Sequence, residues 1–282
     1  MPVLLRPDDA VQIGWDPRRA VLVRPPRGMT AGTLASLLRT RRADIGVDDV
    51  VTEVRRLGGA ADPGEIAELM TALVHSRVAH PVPSPQSGAA GRAAAIRVHG
   101  SGPLSELLVD GLRCSGARIS HTTQPHARMR PHNTDLVVLA DALVADPRLV
   151  ADMQRAGVAH LPVRVRDGTG LVGPLVIPGV TSCLHCADLH RCDRDAAWPA
   201  VAAQLRNTVG TADRATLLAT AALALGQVDA VIKVVRVGSG TPAHLPAPLP
   251  PPTLSTTLEV DARAGTLVAK RWSWHPGCPC RG

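Results

Sequence analysis

The sequence predicts an α/β protein in which a small α+β domain precedes a parallel sheet, and the sheet ends in a cysteine-rich C-terminal hairpin. Three observations predict this architecture. Strand-like runs alternate with helical patterns from residue 92 onward, a proline- and glycine-rich stretch lies before them, and two cysteine pairs stand nearly a hundred residues apart. Alternating strands and helices favour a parallel sheet with right-handed crossovers.

Composition and charge limit the classes of function that this protein can have. The chain has 282 residues, 45% of them hydrophobic, but no Phe and no Tyr, so its core is built from Ala, Val and Leu. The net charge is +7, and the basic residues are scattered, with the densest group at Arg39, Arg41, Arg42, Arg55 and Arg56. Because no polybasic run accompanies them, we do not expect nucleic-acid binding. Without an apolar run of eighteen residues or a signal-like N-terminus, we expect no membrane segment and a cytoplasmic protein.

Residues 1–80 read as a compact α+β module. Residues 11–15 and 20–23 are β-rich runs around a turn at Asp16-Pro17, which predicts a hairpin, and no third strand is evident after Pro25-Pro26. Three helices follow, with apolar faces around Leu34, Val47 and Ile66. The third opens with an N-cap at Asp62, Pro63 at N1 and a capping-box acid at Glu65. Residues 81–91 form the predicted linker.

Residues 92–282 form the predicted α/β domain. Its expected elements are strands at 93–98, 135–141, 161–165 and 173–177, a crossover helix at 147–156, a long buried helix at 213–235, and a terminal hairpin with strands at 258–260 and 267–269.

The two cysteine pairs predict a structural zinc site. The pairs are Cys183-Leu184-His185-Cys186 and Cys278-Pro279-Cys280, and four thiolates satisfy the tetrahedral preference of Zn²⁺. In a reducing compartment spaced cysteines indicate metal binding or redox activity rather than structural disulfides. The second pair has a single intervening residue, shorter than usual. His275, His185, His190 or Cys192 therefore remain alternatives for one ligand.

A glycine turn offers a candidate nucleotide site. Gly100 and Gly102 follow a predicted strand and precede a helix, where backbone N–H groups can face a phosphate. The rest of the dinucleotide fingerprint is missing. Ser105 stands at the third glycine position, Pro103 removes one donor, and no acid follows the strand near Ser120.

The order of these motifs resembles a known family. Residues 92–282 resemble a ThiF/MoeB-type domain, the Rossmann-like fold of the ubiquitin-activating enzymes. The match is best at residues 178–191, and with residues 275–280 it is similar to the branch found in azole-forming cyclodehydratases of ribosomally made peptides. Residues 1–80 resemble the PqqD-like winged-helix module that binds leader peptides. The resemblance implies a Rossmann-like sheet with a zinc-stapled hairpin behind a winged-helix-like domain, and a homodimer.

Active members of that fold use ATP and Mg²⁺ to adenylate a C-terminal carboxylate. This chemistry requires an Arg and a Lys on the phosphates, an acid on the ribose and an Asp on the metal. The two lysines, Lys233 and Lys270, do not match these positions, although Asp141 matches the metal-binding acid and Arg128 or Arg130 are substitutes for the phosphate ligands. Cys192 lies where some members carry a catalytic cysteine. The resemblance implies a scaffold that has lost adenylation. It assigns no catalytic residue, and Cys192 and Asp141 are subsidiary candidates.

The preferred function is a zinc-binding, non-adenylating protein that captures a peptide and presents it to a partner enzyme. The peptide would add to the edge of the N-terminal hairpin, near four predicted contact residues: Val21, Val23, Ile66 and Met70. One alternative is an active ATP-dependent adenylyltransferase acting on a peptide or carrier-protein carboxylate. Another is a winged-helix DNA-binding regulator.

Overall fold

A computed structural model describes residues 1–40, 46–60, 62–76, 92–124, 133–206, 208–237 and 250–281. The described residues form two compact units, one up to residue 76 and the other from residue 92 onward. The predicted linker and four of the arginines named above lie outside the described residues: Arg41, Arg42, Arg128 and Arg130.

The first unit contains a three-stranded antiparallel sheet and three helices. The strands are β1 (Val3–Leu5), β2 (Val11–Ile13) and β3 (Val21–Val23), in that spatial order. The helices are α1 (Ala31–Arg39), α2 (Val47–Arg56) and α3 (Pro63–His75). The hairpin and the three helices agree with the sequence prediction. A third strand is present, but it precedes the hairpin, and a three-residue strand is too short to show an alternating pattern.

One face of this sheet packs on the helices to form the core of the first unit. Val11, Ile13 and Val23 are buried with Leu34 and Ile66. α3 begins as predicted, because the Asp62 side chain accepts a hydrogen bond from the backbone N–H of Gly64 (3.0 Å). Glu65 does not close a capping box, and instead accepts a hydrogen bond from the Arg27 backbone N–H (2.8 Å).

The second unit is built on a seven-stranded sheet. Its strands are β4 (Ala95–His99), β5 (Arg118–Thr122), β6 (Leu136–Ala140), β7 (Ala159–Arg166), β8 (Thr169–Val172), β9 (Thr256–Asp261) and β10 (Thr266–Arg271). The spatial order is β10-β9-β8-β7-β6-β4-β5. β5, β4, β6 and β7 are parallel, and β8, β9 and β10 continue the sheet in antiparallel pairing. The predicted α/β class with a parallel sheet is confirmed.

One predicted strand is wrong, and one observed strand was not predicted. Residues 173–177 form no strand, because Pro174 has no N–H to donate and the segment makes only single bridges, from Leu175 to Leu254 and from Val176 to His160. The strand that sequence reasoning missed is β8. Its signal was present in Asp167-Gly168, which forms the two-residue turn after β7 with positive φ at both residues.

The described residues of the second unit form five α-helices. They are α4 (Pro103–Leu112), α5 (Pro147–Arg155), α6 (Leu184–Cys192), α7 (Trp198–Leu205) and α8 (Arg214–Val237). α8 is buried along one face, at Ala221, Ala224, Val228 and Ile232, whereas Leu218 is 49% exposed, so the helix predicted to be buried is buried only in part.

α8 contains the one segment in the described parts of the chain, Arg214–Arg236, that is long and apolar enough to cross a membrane. The helix packs on α4 and on β7, β8 and β9. This packing accounts for its apolar character without a bilayer.

His160 in β7 is a buried histidine inside this sheet. Its Nδ1 lies 3.1 Å from the Val158 carbonyl oxygen, to which it donates, and its Nε2 has no hydrogen-bond partner. Burial lowers the pKa of His160 to about 4, and the bond to Val158 opposes this only partly. An unfolded histidine has a pKa near 6.5. Between these values the unfolded chain binds a proton that the folded chain does not, so stability falls as the pH falls through this range.

Replacing His160 with Gln should flatten the pH dependence of stability. The histidine accounts for about 2 kcal/mol of the loss in unfolding free energy between pH 7 and pH 5. Urea unfolding of both proteins at the two pH values measures this difference. If the variant loses as much stability as the original protein, His160 is not the group responsible.

Candidate functional site

The four predicted cysteines converge in the second unit. Cys183 is the N-cap of α6, Cys186 lies in its first turn, and Cys278 and Cys280 follow β10. The sulfur–sulfur distances are 3.8 Å from Cys183 to Cys186, 3.5 Å from Cys183 to Cys278 and 3.4 Å from Cys186 to Cys280, and all four sulfurs lie within 4.8 Å of one another. A tetrahedron with zinc–sulfur bonds of about 2.3 Å has edges of about 3.8 Å. The group therefore has the dimensions of a four-thiolate zinc site.

Neighbouring residues help to position the four cysteines. The Cys186 backbone N–H donates to the Cys183 sulfur (3.4 Å), which fixes the first pair. The second pair is held through Trp272 at the end of β10, because the Ser182 hydroxyl donates to the Trp272 carbonyl oxygen (3.2 Å). Val176 is buried against the sulfurs, and Trp274 packs beside them. Both pairs thus rest on elements of one sheet.

The pKa values of Cys183, Cys186 and Cys280 are shifted in different directions. Burial raises the pKa of Cys183. It also raises the pKa of Cys280, to about 11. Burial also opposes ionisation of Cys186, but hydrogen bonds involving the His275 and Cys183 backbone and the neighbouring thiols outweigh it and lower the pKa. Zinc binds thiolates, so loading would release protons from the remaining thiols.

The alternative ligands do not lie in this group. His275 has both ring nitrogens engaged, since Nε2 donates to the Asp193 carboxylate (2.9 Å) and Nδ1 accepts from the Gly277 backbone N–H (3.0 Å). His190 Nε2 lies 3.2 Å from the Ser273 carbonyl oxygen. His185 is exposed, and Cys192 is partly exposed at the end of α6. The ring of His275 orients the loop that carries Cys278.

The glycine turn is built around an internal carboxylate. Gly100 and Gly102 lie between β4 and α4, as predicted, but the N-terminus of α4 is filled by Asp141, which follows β6. Asp141 Oδ1 accepts from the Leu104 backbone N–H (2.9 Å), and Oδ2 accepts from that of Ser105 (3.2 Å). Asp141 is 1% exposed. A carboxylate thus occupies the place where a phosphate would meet the helix dipole.

The backbone explains how Asp141 reaches this place. The φ of Asp141 is 72°, and the Ala142 N–H donates to the Ala140 carbonyl oxygen (2.9 Å). β6 therefore ends in a γ-turn of the rare type with positive φ. The glycines are required for close approach. A Cβ on Gly100 would lie 2.6 Å from the Ala140 carbonyl oxygen, and one on Gly102 would lie 2.8 Å from Asp141 Oδ1. Close packing around this carboxylate gives both glycines a structural role.

The predicted peptide-binding side chains belong to the core of the first unit. Ile66 is fully buried and Val23 is 8% exposed, while Val21 and Met70 are partly buried against the same core. The sequence prediction missed Leu22, which is 58% exposed and points to the other face of β3. A partner at this strand would meet the backbone and Leu22 rather than those four side chains.

No protein-family model and no curated protein matches the chain. Solved structures do match it. A heterocyclase in complex with substrate and cofactor is 17% identical with a TM-score of 0.67, and the heterocyclase TruD is 17% identical with a TM-score of 0.65. Both alignments cover 100% of this chain but only 38% and 42% of the heterocyclases, so the chain spans about two fifths of their length.

A third structure matches over nearly its whole length. E. coli MccB with AMPCPP and MccA is 10% identical with a TM-score of 0.58, and the alignment covers 100% of this chain and 97% of MccB. At these low identities, the TM-scores show a shared fold and no more. The chain has the ThiF/MoeB-like fold found in these heterocyclases and in MccB, as its cysteine motifs imply.

Proposed function

We propose that this chain is a zinc-containing, non-adenylating protein that binds a leader peptide and presents it to a separate enzyme of ribosomal-peptide modification. The occupied N-terminus of α4 carries the non-adenylating part of the proposal. The fold supports the peptide-modifying context, since the similar structures are heterocyclases and MccB, the latter in a complex with MccA. The chain spans about two fifths of the heterocyclases' length, and in this proposal catalysis belongs to a separate partner enzyme.

The electrostatics of the glycine turn argue against ATP. The Asp141 carboxylate takes two N–H donors of α4 that a nucleotide phosphate would need, and its negative charge would repel that phosphate. Neither lysine compensates. Lys270 lies on β10 with its Nζ 4.7 Å from the Trp272 ring, and Lys233 is exposed on α8. Transferring phosphates require such neutralising charges.

Zinc would serve the scaffold rather than a reaction. Cys183, Cys186, Cys278 and Cys280 fit the ion by number, ligand type and spacing, which is the composition of a closed structural site. Bound zinc would tie the segment after β10 to the start of α6. Such a link fixes the end of the sheet that carries β9 and β10.

The edge of the first unit's sheet is the proposed peptide site. β3 pairs with β2 on one side, and on its other side no strand pairs with it within the described part of the chain. Free N–H and C=O groups on an edge strand accept an added peptide strand. Leu22 supplies an exposed apolar contact on β3. The proposed complex therefore forms through backbone hydrogen bonds together with this side chain.

Replacing Cys183 with Ser should abolish zinc binding. The purified protein is expected to contain one zinc ion per chain by elemental analysis, and the variant none, with a lower melting temperature because metal binding and folding are coupled. Cys114→Ser is the matched control, since Cys114 is exposed and lies outside the group. A C183S protein with full zinc and unchanged melting would refute the site.

Calorimetric titration of millimolar MgATP into the zinc-loaded protein should give no binding heat, and ATP–pyrophosphate exchange should be absent. Asp141→Asn should lower the unfolding free energy by about 1–3 kcal/mol, because the amide cannot accept from two backbone donors as the carboxylate does. Asp152→Asn, on the exposed side of α5, is the control and should change stability by less than about 1 kcal/mol. Micromolar ATP binding would restore the adenylyltransferase alternative.

Proline substitutions at Leu22 and Val23 should separate peptide binding from folding. Neighbouring residues on a strand direct their N–H groups to opposite sides, so one proline removes a bond to β2 and the other removes a donor from the free edge. The proline that removes a donor from the free edge should weaken binding of the leader peptide, measured by fluorescence anisotropy. The same substitution should change the melting temperature little. If neither variant alters the affinity, the peptide does not bind at β3.

A further inference from the structure

A large cavity in the second unit lies beside the cysteine group and includes neither the glycine turn nor the edge of β3. It has a volume of about 880 Å³ and lies between the loop after β6, α5, β7 and the α6–α7 pair, with one end at the cysteine group. Most of its wall is apolar, through side chains that include Leu143, Val150, Leu171, Leu184 and Trp198. Its volume is in the range of cavities that hold small organic ligands.

Positive charge converges on this cavity from several elements. Six cationic side chains line it, against the carboxylates of Asp188 and Asp195: Arg164, Arg166, Arg191, Arg194, Arg206 and Lys270. A concave site with apolar walls concentrates the field of such charges. The cavity therefore favours anions over neutral or cationic molecules.

Arg191 is held in place before any ligand arrives. Its Nη1 donates to Asp188 Oδ1 (2.7 Å), and its guanidinium carbon lies 5.0 Å from the centre of the Trp198 ring and 4.9 Å from that of Trp272. The Trp198 indole N–H donates to the same Asp188 oxygen (3.1 Å). The two rings and the carboxylate fix one cation at the cavity wall, which reduces the entropy lost on binding.

Arg164 is a partly buried cation of this wall that has no carboxylate partner among the described residues. It projects from β7, and in the described residues no carboxylate lies within 4.0 Å of its guanidinium group. Burial and the charges of Arg191 and Arg166 lower its pKa to about 10, against the weaker influence of Asp188 and Glu259. A partly buried, unpaired cation is costly to a folded protein, so its presence at a cavity indicates that an anion offsets it.

We propose that this cavity binds an organic anion, a carboxylate or phosphate group on an apolar body, with Arg164 as the residue that contacts the anionic group. The apolar walls accommodate the body of the ligand and the cations accommodate its charge. This site is separate from the glycine turn and from the edge of β3. It stands independently of the proposed function, because neither zinc nor a leader peptide is needed for the argument.

The test uses the full-length, zinc-loaded chain and the fluorescent probe 8-anilinonaphthalene-1-sulfonate, which carries an anionic group on an apolar body. We expect saturable binding of one probe per chain. Arg164→Gln should weaken this binding by about tenfold or more, as for loss of a charge-assisted hydrogen bond. Arg164→Lys should retain most of the affinity, because it keeps the charge.

A matched control separates the cavity from the net charge. Arg148 lies exposed on α5 and does not line the cavity, so Arg148→Gln makes the same change in charge and should bind the probe as the original protein does. The melting temperature of the Arg164→Gln protein should not fall, since no ion pair is removed. Equal affinity of the Arg164→Gln and original proteins, or absence of probe binding to the original protein, would overturn the proposal.

Competition identifies the source of the anion. Displacement of the probe by phenyl phosphate, with no displacement by benzyl alcohol, supports a free small molecule. Displacement by a short peptide that alternates leucine and glutamate, better than by phenyl phosphate, supports an acidic segment of a peptide. If benzyl alcohol competes as well as phenyl phosphate does, the cavity recognises apolar character alone and the proposed anion site is wrong.

Discussion

The second unit depends on the convergence of four cysteine side chains from two distant segments. Cys183 and Cys186 open α6, and Cys278 and Cys280 end the path that leaves β10, so their contact closes a loop of about ninety residues that includes α8 and the last hairpin. Closing a loop of this length by random motion costs entropy. The tetrahedral spacing of the sulfurs is suited to a metal ion that would hold the closure, and Val176 packs against the sulfurs.

Charge is distributed around the sheet in two opposite ways. At the carboxyl end of β6, a buried carboxylate satisfies the N-terminus of α4, so the glycine turn is electrostatically complete within the protein. On the other face of β6 and β7, cations gather around a cavity, and the partly buried Arg164 has no carboxylate partner among the described residues. Opposite charges thus lie at two places on the same sheet, a carboxylate at the glycine turn and a group of cations at the cavity.

The first unit has a buried apolar core and an edge strand, β3. Val11, Ile13 and Ile66 are buried, whereas Leu22 on β3 is exposed between two inward-facing valines. A strand with this alternation keeps its own sheet stable through one face, and it leaves its backbone edge to another chain. The proposed peptide recognition would therefore use different atoms of β3 from those that stabilise the fold, with backbone rather than side-chain contacts expected to dominate.

The sequence by itself determined the features that depend on short spacing. The cysteine pairs, the Asp62 cap of α3, the strand at Leu136–Ala140 and the terminal hairpin are local patterns, and the structure contains all of them. Only the tertiary structure decided what Asp141 and Arg164 do. Asp141 meets α4 because β6 lies beside β4, and Arg164 meets Arg191 because α6 packs near β7. Such contacts follow from the order and register of strands far apart in the chain, which local residue patterns do not encode.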